Sequence, residues 1–435
     1  MIGRRALLAA LAASSVLTAC AATPAPPVPK AVPPADRPDG DGGVSAFYQP
    51  PATVPAGPGH MLRTEAITGA TLPPAAGGAE RILYTSTSGV GAGTQTVVSG
   101  QIILPKGMPP AGGWPIVSWE HGTTGVADVC APSWRGYFSR DRAYLDRWLS
   151  AGFAVVASDY QGLGTPGPHP YLLYRPEGYS ALDALRAALA HDRGLLSNRI
   201  ILVGQSQGGG AALGAAWLAP RYAPELHILG TVATGVVTAF GIGPHPAHPP
   251  VPRSTTESAT MSASFAILTT EGSEKSLHPG TDVDADLTPR GRDLAVQARR
   301  SCLGDLFKYT TREKLGETEA FVGGHARFDP ERIADFRIPD AHLTMPVFVG
   351  TGMADGEAGV TQQYNAVAAM CDAGTNVTWK EYPGLTHNGA VNVSAGESVP
   401  FALALLHGKP VRSNCATIRP LTAVQAPAPG IRWNN

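Results

Sequence analysis

Charge is scarce in this chain. Only 15% of its 435 residues are Asp, Glu, Lys or Arg, the formal net charge is −1, and no run rich in lysine and arginine occurs. Such a balance leaves no electrostatic footprint for nucleic acid, and none is expected as a partner. There are five cysteines and no C-x-x-C pair, which excludes a zinc ribbon and a thioredoxin-type motif. No Walker loop or dinucleotide fingerprint is present. Gly89-Val90-Gly91-Ala92-Gly93 lacks the flanking strand and helix such a fingerprint needs and reads as a turn. His245 and His248 are close in sequence, but Pro246 between them forbids helical i, i+3 geometry and no carboxylate lies near. They read as loop histidines, so no metal is expected. No internal repeat is visible. Gly and Pro are abundant instead, at 51 and 40 residues, and point to many loops.

The first twenty residues read as an export signal. Arg4 and Arg5 form a positive start, and Ala6 to Leu17 is apolar over about twelve residues, too short to span a bilayer. The stretch ends in Leu17-Thr18-Ala19-Cys20, small residues before a cysteine, which resembles a bacterial lipobox. On that reading 1–19 is a lipoprotein signal peptide, Cys20 carries a diacylglyceryl thioether, and the protein is a membrane-anchored or secreted cell-envelope lipoprotein. The simpler alternative is an ordinary signal peptide cut after Ala19 or Ala22. Residues 20–60 are rich in Pro, Ala and Gly and read as a tether. In an oxidising compartment Cys130, Cys302, Cys371 and Cys415 suggest two disulfides, with three possible pairings. The preferred pairing is Cys130 with Cys302, stapling a cap to an upstream loop, and Cys371 with Cys415, holding the C-terminal tail to a helix.

Residues 61–435 read as one domain. Apolar strands are expected at 81–86, 95–104, 115–119, 153–158, 199–203, 228–233, 345–350 and 376–382. Helical segments lie at 179–190, 209–218 and 360–371. Alternation of buried strands with helices implies an α/β fold with a mostly parallel sheet covered on both faces. Between about 236 and 342 the alternation stops. Proline-rich pieces and amphipathic stretches such as 290–303 read there as a largely helical cap.

The chemistry centres on Gly204-Gln205-Ser206-Gln207-Gly208. It follows the apolar run 199–203 and precedes the small-residue segment 209–218. Strand, G-x-S-x-G, helix is the nucleophile elbow of an α/β-hydrolase. A serine hydroxyl needs a base and a group that orients the base. In this fold their chain order is Ser, acid, His. Asp355, in the loop after strand 345–350, fits the acid, with Glu357 and Asp372 as competitors. His387, after strand 376–382, fits the base better than His407, which lies on a later helical segment. The oxyanion requires at least two donors. The backbone N–H of Gln207 is one. The other is expected from Glu120-His121-Gly122-Thr123-Thr124-Gly125, with Thr123 preferred, Thr124 next, and His121 as a scaffold residue. No cofactor is required.

Several stretches together resemble the secretory lipase (lipase A–like) family. They are Ser118 to Gly125 followed by Cys130-Ala131-Pro132-Ser133, then Ala157 to Gly167 with His169-Pro170-Tyr171, then Leu182 to Ala188. The resemblance spans roughly 80–410. It implies an α/β-hydrolase with a helical cap, Ser206, Asp355 and His387 as triad, and esterase or lipase activity on acylglycerols or other carboxylic esters. It also supports a disulfide between the loop of Cys130 and the cap of Cys302. The expectation is a monomeric, exported ester hydrolase acting on a lipid or small ester. A serine peptidase or amidase of the same fold, and a non-catalytic surface lipoprotein, are the alternatives.

Overall fold

The computed structural model describes residues 40–69, 71–91, 93–241, 255–327, 334–419 and 423–435. The signal peptide, Cys20, most of the tether, and His245 and His248 lie outside them. Residues 40–60, read above as the end of the tether, lie against the body. Phe47 and Tyr48 are buried there, and Arg63 donates to the Phe47 carbonyl (2.8 Å). Two large aromatics give this short Pro- and Gly-rich stretch enough apolar surface to dock.

Among the described residues nine strands form one sheet, and Ala239–Phe240 pairs with Arg337–Ile338 in a separate two-stranded one. The nine are β1 (Met61–Ala66), β2 (Ala76–Thr87), β3 (Gln95–Pro105), β4 (Trp114–Glu120), β5 (Ala154–Ser158), β6 (Leu196–Gln205), β7 (Ile228–Thr234), β8 (Val347–Gly352) and β9 (Val377–Tyr382). The order is β1-β2-β3-β5-β4-β6-β7-β8-β9. The first three strands run antiparallel to their neighbours, and the six strands β4 to β9 are mutually parallel. This is the α/β-hydrolase sheet.

Strand β6 shows why the sequence runs apolar without a break. Its side chains alternate between the two faces. Ile200 and Leu202 pack with α2 (Tyr174–His191) and α3 (Gln207–Tyr222). Ile201 and Val203 pack on the other side with α1 (Ser139–Ser150) and α8 (Gly389–Leu406). Both faces are covered, so no polar alternation is permitted. Each of these side chains contributes roughly 1.5–3 kcal/mol by its burial.

Between β7 and β8 lies the cap. Helix α4 (Thr255–Leu268) runs into a π-helical turn, Thr269–Glu274, followed by α5 (Pro289–Ala298) and α6 (Leu303–Glu313). Ala263, Ile267, Leu294, Ala298, Leu306 and Phe321 give it a separate small core. The helical reading of 290–303 is cut short: α5 ends at Ala298, and extended Cys302 (φ −104°, ψ 167°), just before α6, reaches across to Cys130. Disulfides join Cys130 to Cys302 and Cys371, on α7 (Val360–Asp372), to Cys415.

Candidate active site

Ser206 sits between β6 and α3 with φ 59° and ψ −123°, a left-handed conformation rare outside glycine. The two motif glycines explain how it is held. A Cβ on Gly204 would run into the backbone of Gly208, and one on Gly208 would run into the Glu120 and His121 carbonyls. Gly208 therefore serves the contact between the elbow helix and the loop after β4, in addition to the turn itself. The Ser206 N–H donates to the Thr234 carbonyl (2.9 Å), which fixes the elbow to the end of β7.

Asp355 and His387 meet. His387 Nδ1–H donates to Asp355 Oδ2 (2.8 Å), and both side chains are buried. Asp355 is fully engaged. Its Oδ1 accepts from the backbone N–H of Glu357 (2.9 Å) and Ala358 (3.0 Å), and Oδ2 also accepts from Gln363 Nε2 (2.7 Å). Burial alone would raise its pKa. The facing imidazole and these hydrogen bonds outweigh burial and hold the carboxyl below its ordinary range. For His387 burial would lower the pKa, but the carboxylates of Asp355 and Glu357 raise it above the ordinary value. Gly235, at φ 55°, lies against the ring. A Cβ there would come within 2.7 Å of His387 Cε1. The far nitrogen, His387 Nε2, accepts from Gln205 Nε2 (2.9 Å). Among the described residues no hydrogen bond links the Ser206 hydroxyl to His387.

The other sequence candidates fall elsewhere. Glu357 flanks Asp355 and accepts from Asn388 Nδ2 (3.2 Å). Asp372 is exposed at the end of α7, and His407 is exposed past the end of α8 with Nδ1 on the Leu403 carbonyl. In the loop after β4, Gly122 meets the elbow: a Cβ there would lie 3.5 Å from Ser206 Cβ. Thr123 follows directly, its hydroxyl 2.7 Å from that of Tyr171. His121 is buried, with Nδ1–H donating to the Gly122 carbonyl (2.7 Å) and its ring 4.4 Å from that of Tyr160. Burial lowers its pKa, against the opposing pull of the Gly122 and Asp159 carbonyls on its two ring nitrogens.

A buried polar web supports this loop and the start of α3. Gln207 Nε2 donates to Glu177 Oε1 (2.7 Å) and lies 3.1 Å from His169 Nε2. Glu177 also accepts the Leu172 N–H (2.9 Å). Burial pushes the Glu177 carboxyl up to about 8 and the His169 imidazole down to about 4, so both are neutral near pH 7. Sequence reasoning missed Glu177, Arg140 and Asn434. Arg140, at the start of α1, donates to Gln205 Oε1 (2.9 Å) and pairs with Asp141 (2.7 Å). Asn434 grips the histidine loop, accepting from the Thr386 N–H (2.7 Å) and donating to the Gly384 carbonyl (2.9 Å). No motif flags these residues, because each is brought to the site from a distant part of the chain.

A sequence model described as secretory lipase matches residues 138–414. The chain belongs to the secretory lipase family. Over 212 residues it is 32% identical to a probable inactive lipase, MT1628, of Mycobacterium tuberculosis, covering 45% of this chain and 46% of that one. Lipase 1 of Candida albicans is 23% identical over 77% of this chain and 74% of its own. Among solved structures, Candida antarctica lipase A superposes with a TM-score of 0.62 at 18% identity, covering 92% of each chain. The rice cell wall degrading esterase of Xanthomonas oryzae superposes at 0.60 and 18%, over 81% of this chain and all of that one. These two likenesses establish the fold. The secretory character of the family fits an exported protein with two disulfides.

Proposed function

We propose that this secretory lipase family member hydrolyses lipid or small carboxylic esters through Ser206, Asp355 and His387. The observation that carries the reading is the buried Asp355–His387 pair (2.8 Å) beside an elbow whose serine is held at positive φ. Asp355 holds the imidazole with its proton on Nδ1, which leaves Nε2 as the base. His387 takes the Ser206 proton as Oγ attacks the ester carbonyl carbon. The displaced carbonyl electron pair becomes an oxyanion, held by the backbone N–H groups of Gln207 and Thr123. The first N–H of a helix has no intrahelical acceptor, which makes Gln207 available. Collapse breaks the bond to the alcohol, which leaves with the proton from His387. Water then attacks the acyl-enzyme by the same route and releases the acid.

An acylglycerol is the substrate class the relatives favour, since one is a secreted triacylglycerol lipase of Malassezia furfur, 26% identical over 62% of this chain. The likeness to a probable inactive lipase favours a second reading, a fold retained without turnover. Both are tested by replacing Ser206 with alanine. The wild-type protein should hydrolyse p-nitrophenyl esters and react with a fluorophosphonate probe, and Ser206→Ala should lose both while keeping its circular dichroism spectrum. A wild-type protein that the probe does not label would favour the second reading. We also propose that the mature protein is anchored by lipid on Cys20, on the strength of Leu17-Thr18-Ala19-Cys20, and acts as a monomer.

A further inference from the structure

Gln205, the first variable position of the elbow, turns its side chain back onto the base. The amide is buried between two partners, Arg140 Nη2 on its oxygen and His387 Nε2 on its nitrogen, each at 2.9 Å. Its orientation is not free. A guanidinium offers only donors, so the amide oxygen must face Arg140 and the NH2 group must face His387. Arg140 cannot readily move away. Its Nε donates to Asp141 (2.7 Å), another nitrogen donates to Asn388 Oδ1, and its own carbonyl accepts from Asn392 (3.0 Å). With Nδ1–H committed to Asp355, the only lone pair left on the ring is the one Gln205 uses. Ser206 needs that same lone pair.

We propose that Arg140 and Gln205 form a positioning pair that caps His387 Nε2 in the free enzyme and opposes its protonated form. The inference rests on the proposed role of His387. Its physical basis is a donor conflict. Once Nε2 carries a proton, it faces the NH2 of Gln205. Rotating the amide satisfies His387 but sets NH2 against Arg140. One buried donor–donor contact persists in either orientation, and a buried donor without an acceptor costs about 1–3 kcal/mol. The charged groups facing the ring are Asp355 and Glu357, which favour its protonated form, and Arg140, which opposes it. A glutamate at 205 would remove the conflict, since a carboxylate accepts from both neighbours.

The titration of His387 tests this without requiring turnover. The ring nitrogens are followed by 15N NMR in the Ser206→Ala background, with His387→Gln assigning the signals. Gln205→Glu should raise the His387 midpoint by about one pH unit or more, and Arg140→Met should raise it by less. With Ser206 restored, the acid limb of kcat/KM for p-nitrophenyl butyrate should move by the same amounts. A midpoint that stays put in both variants overturns the proposal, even if kcat or thermal stability falls, because packing alone would not move it. A wild-type protein with no ester turnover would instead defeat the catalytic reading, and the NMR midpoints would still decide whether the pair caps the ring.

Discussion

At the scale of single residues, the site is built as much from neutral buried acids as from ionised ones. Glu177 illustrates the point. In an unfolded chain its carboxyl would ionise near 4.5, and in the folded protein near 8. Between those values the unfolded state releases a proton that the folded state keeps, so stability falls as pH rises through that window and levels off above it. Glu177→Gln keeps an acceptor for Gln207 and has nothing to ionise. Its melting temperature should exceed the wild-type value by a margin that grows from pH 5 to pH 8, and an equal margin at both would contradict the assignment. The triad candidates were legible in the sequence because the motif and the chain order constrain them. Gln207 and Thr123, the proposed oxyanion donors, were picked out only as neighbours of motif residues. Arg140 was not, since a charged residue at the start of an amphipathic helix ordinarily faces water. Its partners Gln205 and Asn388 lie 65 and 248 residues away.

At the scale of elements, strands with both faces covered were readable from their unbroken apolar runs, and their boundaries shifted by only a few residues. The less legible parts depended on contacts between distant segments. Nothing local in residues 290–303 predicts that α5 stops at Ala298 and that Cys302, before α6, is bonded to the loop before α1. Residues 40–60 carry two aromatics in a proline-rich stretch, and only a surface prepared elsewhere on the sheet makes them dock. The cap is tied to the loop of Thr123 at several points. Leu303 N–H donates to the Thr124 carbonyl (2.8 Å), and Ser273 donates its hydroxyl to the Tyr171 carbonyl, while the Tyr171 hydroxyl meets Thr123. Replacing Cys130 and Cys302 together by alanine should therefore loosen the proposed oxyanion donor at Thr123. The expected result is a kcat reduced by about tenfold and a stability loss of about 2–5 kcal/mol, read by steady-state kinetics and chemical denaturation. An unchanged kcat would mean that the loop is held without the disulfide.

At the scale of the whole molecule, the body is organised to bring three distant segments to one point: the elbow, the loop after β8 and the loop after β9. The C-terminal strap then closes over the last of these through Asn434. The proposed lipid anchor at Cys20 would hold the enzyme at a membrane. Replacing Cys20 by alanine should release the protein from the membrane fraction and abolish incorporation of radiolabelled palmitate, whereas persistent membrane association would defeat lipid anchoring at that residue. The bond between Cys130 and Cys302 closes a covalent ring of chain with a separation of 172 residues. That ring contains Ser206 but neither Asp355 nor His387. The proposed nucleophile and much of the cap are locked in one topological circle, and the proposed acid and base are carried by the open chain that follows it. A protease cut anywhere within the circle leaves a single covalent molecule, so the part of the cap before Cys302 could be nicked without parting from the segment that carries Ser206.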